Sequence, residues 1–175
     1  LDTADFKDRG AVTDEYIDIF KHLWTGDPVA YKGRFYEFDE VVCHPRPYQK
    51  DGPPIWIGGH SAPALRRVAR IGDGWHPVGA TAASPLAPAE MRQKLETIAR
   101  LMEAEGRDFR KLQVSYKAPI YDGGAPPQGE NRRLFTGGMD ATLEDIATFE
   151  SLGVHELVFD FRAASLNECL DGMGR

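Results

Sequence analysis

The feature that most constrains this chain is a fourfold alternation of short apolar runs with helix-patterned stretches. It begins at Pro54-Ile55-Trp56-Ile57, a continuous apolar run that reads as a strand buried on both faces. Gly58-Gly59-His60-Ser61 turns the chain straight into a helix over residues 62–71, with Gly72 as its stop. Gly74-Trp75-His76-Pro77 is a second strand. A long helix over residues 86–105 follows, with Met91, Leu95, Ile98 and Met102 on one stripe and Gly106 closing it. Leu112-Gln113-Val114-Ser115-Tyr116 alternates as a third strand. Thr142-Leu143-Glu144-Asp145 has the form of a capping box opening a helix to Leu152, with Gly153 as its stop. Leu157-Val158-Phe159-Asp160-Phe161 is the fourth strand, and Ser165 to Leu170 a short last helix.

Strands that alternate with helices imply a parallel sheet. Two architectures fit: a four-stranded doubly wound sheet, or half of an eight-stranded (β/α)8 barrel. Periodicity leaves both open. The lack of a G-x-G-x-x-G sequence weakens a dinucleotide-binding reading.

The first third of the chain has another character. Tyr16, Ile19, Phe20, Leu23 and Trp24 recur at helical spacing over residues 14–25, with Thr13 as the expected N-cap and Gly26 and Pro28 as stops. Aromatic-rich arms around Gly33, over residues 31–38, read as a β-hairpin. A loop punctuated by Pro45, Pro47, Pro53 and Pro54 leads to the first strand of the α/β region. A second loop, residues 118–139, is long enough to be functional or disordered.

Charge narrows the partners. A formal net charge of −6 offers no basic field for nucleic acid or for an anionic membrane surface. No apolar run approaches the roughly 20 residues of a membrane-spanning helix. Cys43 and Cys169 lie far apart, with no ligand-like spacing to histidines, and read as two isolated buried thiols of a cytoplasmic protein with no metal site. The chain opens on Leu1 rather than Met, with no signal-peptide pattern, as a chain beginning mid-protein would.

The clearest chemistry lies in the turn after residue 57. Gly58 and Gly59 let the backbone come close to a ligand, and Ser61 can cap the helix. The amides of Ala62 and Ala64, with the helix dipole, favour an anion such as a phosphate; Pro63 lacks an N–H, which costs nothing in a first turn. An ordinary strand–helix connection would look the same. His60 and His76 fall at predicted C-terminal strand ends and are the candidate proton donors or substrate ligands, or else structural histidines. Asp160 and Arg162 flank the fourth strand's end and either pair with each other or meet a ligand. Arg66, Arg67 and Arg70 read as a solvated helix face, and Trp56 and Trp75 as core.

Several of these stretches together resemble the bacterial luciferase-like monooxygenase family, which includes deazaflavin-dependent oxidoreductases. The resemblance is carried by RGAVTDEYIDIFKHLW (residues 9–24), YKGRFYEFDEVVCHPRPYQ (31–49), PPIWIGGHSAPALRRVARIGDGWHP (53–77) and residues 142–161. It implies the C-terminal half of a TIM (β/α)8 barrel, four β/α units numbered five to eight, with a β-hairpin insertion. On that reading residues 1–175 are one partial domain, with helix and hairpin in 1–52 and the β/α units in 53–175. It implies FMN or coenzyme F420 as cofactor, bound at Gly58, Gly59, His60, Ser61 and Ala62, with His76 near it. The chemistry would be hydride transfer or oxygen activation by reduced flavin, on a small organic substrate. Such a half should dimerise, pair with the missing N-terminal half or be part of a longer chain, and be inactive alone. The alternative is a non-catalytic half-barrel that binds a phosphorylated ligand or serves as an assembly module.

Overall fold

The computed structural model describes residues 5–79, 86–118, 132–160 and 165–173. The chain divides into two compact units, Leu1–Pro54 and Ile55–Arg175.

In the first unit a 3-10 turn, Phe6–Asp8, leads into α1 (Arg9–Leu23). The helix starts well before Thr13. That threonine lies one turn inside, its hydroxyl donating to the Arg9 carbonyl at 2.8 Å, a bond that lets Thr sit in a helix interior. Ile17 and Ile19 are buried, whereas Tyr16 and Phe20 of the expected apolar face are 41% and 46% exposed. Two antiparallel strands follow, β1 (Val29–Lys32) and β2 (Glu37–Val41). Glu15 of α1 anchors their turn. Its carboxylate accepts the backbone N–H groups of Arg34, Phe35 and Tyr36 at 3.1, 3.0 and 2.7 Å. The Tyr16 and Tyr36 rings stack beside that contact, 4.7 Å between centroids.

The second unit is four β/α repeats: β3 (Trp56–Gly58), α2 (Ala62–Ile71), β4 (Gly74–His76), α3 (Pro88–Ala104), β5 (Gln113–Lys117), α4 (Met139–Ser151), β6 (Glu156–Val158) and α5 (Leu166–Met173). All strand pairs are parallel, in the order β3-β4-β5-β6. This order carries no reversal, which a doubly wound sheet requires at its switch point. Right-handed crossovers in such an order carry successive helices to the same face of the sheet.

The core follows from side-chain parity. Ile57, Trp75, Val114 and Tyr116 are buried together with Leu65, Val68 and Ala69 of α2. The expected α3 stripe, Met91, Leu95, Ile98 and Met102, is buried throughout. Each such side chain contributes about 1.5–3 kcal/mol by leaving water. Tyr116 packs on Phe149 of α4, 4.1 Å between centroids, and its hydroxyl donates to the Leu86 carbonyl at 2.9 Å.

β3 is buried only at Ile57; Trp56 is 39% exposed, so it is not a core residue. Its indole lies against Gly74, where a Cβ would meet the ring at 2.3 Å; only glycine permits that approach. β5 does not alternate in burial. Val114, Ser115 and Tyr116 are all buried, because this strand is paired on both sides. Thr142 does not cap α4. The helix begins at Met139, after Gly137 and Gly138 at positive φ, and the Thr142 hydroxyl donates back to Gly138 O. The capping box appears instead on α5. There Glu168 N–H donates to Ser165 Oγ at 3.3 Å, and Ser165 N–H to Glu168 Oε2 at 3.1 Å. Cys43 is exposed and Cys169 half-buried, so the two free thiols are not a buried pair of core residues.

Asp145, which the capping-box reading placed at a helix start, serves another purpose. Arg132 donates to both of its carboxylate oxygens, at 2.7 and 2.8 Å, and Phe135 N–H adds a third bond at 2.6 Å. Burial acts to raise the Asp145 pKa. The Arg132 and Phe135 hydrogen bonds and the guanidinium charge together outweigh it and hold the carboxyl below its ordinary value of 3.8.

Arg107 closes the other end of the layer. Its guanidinium donates to the carbonyls of Val68, Ala69 and Gly72 at 3.0, 2.8 and 2.7 Å, satisfying the last turn of α2. Arg107→Ala should therefore lower the unfolding free energy by about 2–3 kcal/mol in urea titrations. Arg107→Lys should recover only part of that, since one ammonium cannot reproduce the planar fork. A loss within experimental error for Arg107→Ala would show that water replaces all three bonds.

Candidate active site at the strand ends

The C-terminal ends of the parallel strands place the sequence-predicted residues. Gly58 is the last residue of β3 and is exposed. Gly59 follows at φ +80°, a conformation that side chains with a Cβ rarely adopt. Trp75, fully buried on β4, donates its indole N–H to the Gly59 carbonyl at 2.8 Å and fixes the turn from the core side.

Ser61 takes the N-cap position in backbone terms, at φ −71° and ψ 157°, but its side chain makes no capping hydrogen bond. The expected cap is thus a backbone one, and the first-turn amides of α2 receive no side-chain acceptor from it. Pro63 sits in the first turn, where its missing N–H costs nothing. The space over the turn is open. A Cβ at Gly58 would find only His76 O at 3.8 Å, and one at Gly59 only Ala64 Cβ at 3.8 Å. Bare amides at a positive helix end, approached over two glycines, can hold an anionic group. His60 is half-buried within this turn, while Ser61 and Ala62 are exposed.

His76 ends β4, and its Nδ1 is hydrogen-bonded to Ser115 Oγ of β5. A hollow of about 260 Å³ opens beside it, lined by Trp56, Gly58, His76, Ser115 and Glu156. Asp160 lies past β6, its carboxylate 3.4 Å from Lys117 Nζ at the end of β5. Its expected partner, Arg162, lies outside the described residues, as do Phe161 and most of the 118–139 loop. Arg66 and Arg70 are exposed and Arg67 half-buried, as on a solvated helix face.

Ser115, Lys117 and Glu156 escaped the sequence reading. The signal for the first two was parity. Gln113, Ser115 and Lys117 are the polar positions of an alternating strand, so they share the face opposite Val114 and Tyr116. Among the described residues, no cluster of three His, Cys, Asp or Glu side chains is arranged to hold a metal. No helix among them is long and apolar enough to cross a membrane.

The model of the family described as luciferase-like monooxygenase matches residues 1–123. An uncharacterized protein of Mycobacterium tuberculosis is 37% identical over 102 residues, covering 58% of this chain and 32% of that protein. An F420-dependent glucose-6-phosphate dehydrogenase of Nakamurella multipartita is 36% identical over 69 residues, 39% of this chain and 20% of that one. An FMNH(2)-dependent dimethylsulfone monooxygenase of Pseudomonas putida is 34% identical over 64 residues, 37% and 17% of the two chains. The matched part is thus about a third or less of these relatives' length. Among solved structures, an F420-dependent secondary alcohol dehydrogenase in complex with an F420-acetone adduct superposes with a TM-score of 0.73 at 15% identity, covering 97% of this chain and 61% of that one. The fold is therefore α/β with a parallel sheet, of the kind found in F420-dependent barrel enzymes.

Proposed function

Since the chain belongs to the luciferase-like monooxygenase family, we propose that it is the C-terminal portion of a flavin- or deazaflavin-dependent oxidoreductase acting on a small organic substrate. Its four strands serve as strands five to eight of a (β/α)8 barrel, and the remaining strands come from the rest of the protein. The hairpin of the first unit is an insertion before strand five.

The observation that carries this reading is the open turn at Gly58 and Gly59, placed at the C-terminal ends of consecutively ordered parallel strands. In barrels of this kind that end carries the active site. Gly58, Gly59, His60, Ser61 and Ala62 hold the cofactor phosphate, through backbone amides and the start of α2. Gly59 keeps the cradle free of a side chain, and Trp75 keeps it in shape. When bound, FMN or coenzyme F420 supplies hydride transfer or oxygen activation; this chain's part is to bind, to orient and to exclude water. His76 faces the same end of the sheet and meets the substrate, with His60 beside the phosphate.

The test is to titrate the full-length protein separately with FMN and with coenzyme F420, following ligand fluorescence. One of the two should bind at micromolar concentration or better, and the tighter one identifies the chemistry. Failure of both to bind would overturn the proposal.

A further inference from the structure

Strand register sets four residues in one row across the sheet. Gly58 pairs with His76. Trp75 pairs with Val114, which brings His76 opposite Ser115. Ser115 pairs with Glu156. Partners in a parallel register share a face, so this row lies on the side of the sheet opposite Trp75, Val114 and Tyr116.

Ser115 is only 2% exposed, yet it carries a hydroxyl. Among the described residues that hydroxyl has one hydrogen-bond partner, His76 Nδ1. A buried O–H that fails to donate costs about 1–3 kcal/mol. The hydroxyl therefore donates, and Nδ1 accepts. A neutral imidazole that accepts at Nδ1 carries its proton on Nε2. Nε2 has no partner among the described residues, and the ring lines the hollow with Trp56, Gly58 and Glu156.

We infer that Ser115 is a positioning residue that holds neutral His76 in its Nε2–H form, so that His76 presents a hydrogen-bond donor to an acceptor oxygen of the substrate, a carbonyl or hydroxyl oxygen, in this hollow. The calling of that ligand a substrate rests on the oxidoreductase reading; the tautomer does not. Glu156, across the row, supplies an acceptor for a hydroxyl on the same molecule.

The imidazole nitrogen chemical shifts of His76, recorded by NMR on the full-length protein with the ring neutral, test this. In the wild type Nδ1 should resonate as an unprotonated nitrogen and Nε2 as a protonated one. Ser115→Ala should move both shifts toward a mixture of tautomers, and Ser115→Thr, which keeps the hydroxyl, should restore the wild-type pattern. A wild-type spectrum with the proton on Nδ1 overturns the inference, as does a Ser115→Ala spectrum that matches the wild type. Should Ser115→Ala fail to fold, the wild-type and Ser115→Thr spectra decide alone. Failure of cofactor binding leaves these shifts where they are, so the two readings fail separately.

Discussion

Replacing Asp145 with alanine is expected to lower the unfolding free energy by about 3 kcal/mol, the scale on which removing one member of a largely buried ion pair acts. Two effects combine. The Arg132 guanidinium loses its two-point partner, and the Phe135 N–H loses its acceptor. Arg132→Ala should cost a similar amount, and the double substitution less than the two together, because the second change removes a group that has already lost its carboxylate or guanidinium partner. The pair also sets an acid limit. The folded state holds the Asp145 carboxyl below its ordinary value of 3.8, so unfolding takes up a proton in the window between the two values. Its contribution is fully present above about pH 4 and is lost as pH falls through the folded value. Urea titrations at neutral pH and at about pH 3 should show the gap between wild type and Asp145→Ala narrowing in acid. A gap that widens there would refute the assignment.

Gly59→Val is expected to weaken cofactor binding at least tenfold, about 1.4 kcal/mol, in the same fluorescence titration. Valine is doubly unsuited to the position. At φ +80° a β-branched residue is strained by about 1–3 kcal/mol, and its methyl groups stand where an anionic group would approach. Gly59→Asn separates these causes, since asparagine tolerates positive φ. It should lose less stability than Gly59→Val and still bind more weakly, through obstruction of the cradle. Unchanged affinity in both variants would remove the phosphate from this turn.

How far the sequence was legible differs by level. The β/α alternation is written in period and punctuation, and α2 runs over the residues its pattern marks, Ala62–Ile71. The α3 stripe and its Gly106 stop are equally plain, because a single packed face demands them. Helix starts were the weaker part. Thr13 and Thr142 have the right chemistry for caps, but each hydroxyl satisfies a carbonyl one turn back inside its helix. What decided the starts was neighbouring backbone, the positive-φ glycines before α4 and the 3-10 turn before α1. Trp56 escaped because composition cannot tell which face of a strand will be covered; its exposure depends on sheet order. At the site, the glycine turn was readable as local chemistry. The Ser115–His76 bond was not, since its members are 39 residues apart and only register brings them together.

The contact between Trp75 and Gly59 reaches further than its single bond. A trans peptide is a rigid plate whose C=O and N–H point opposite ways. By drawing the Gly59 carbonyl inward, the indole turns the N–H of that same peptide, the His60 amide, away from the hydrophobic layer. The direction of one dipole at the surface is thus chosen by an aromatic ring that never sees solvent, and repacking around Trp75 would swing that dipole without altering any residue of the loop itself.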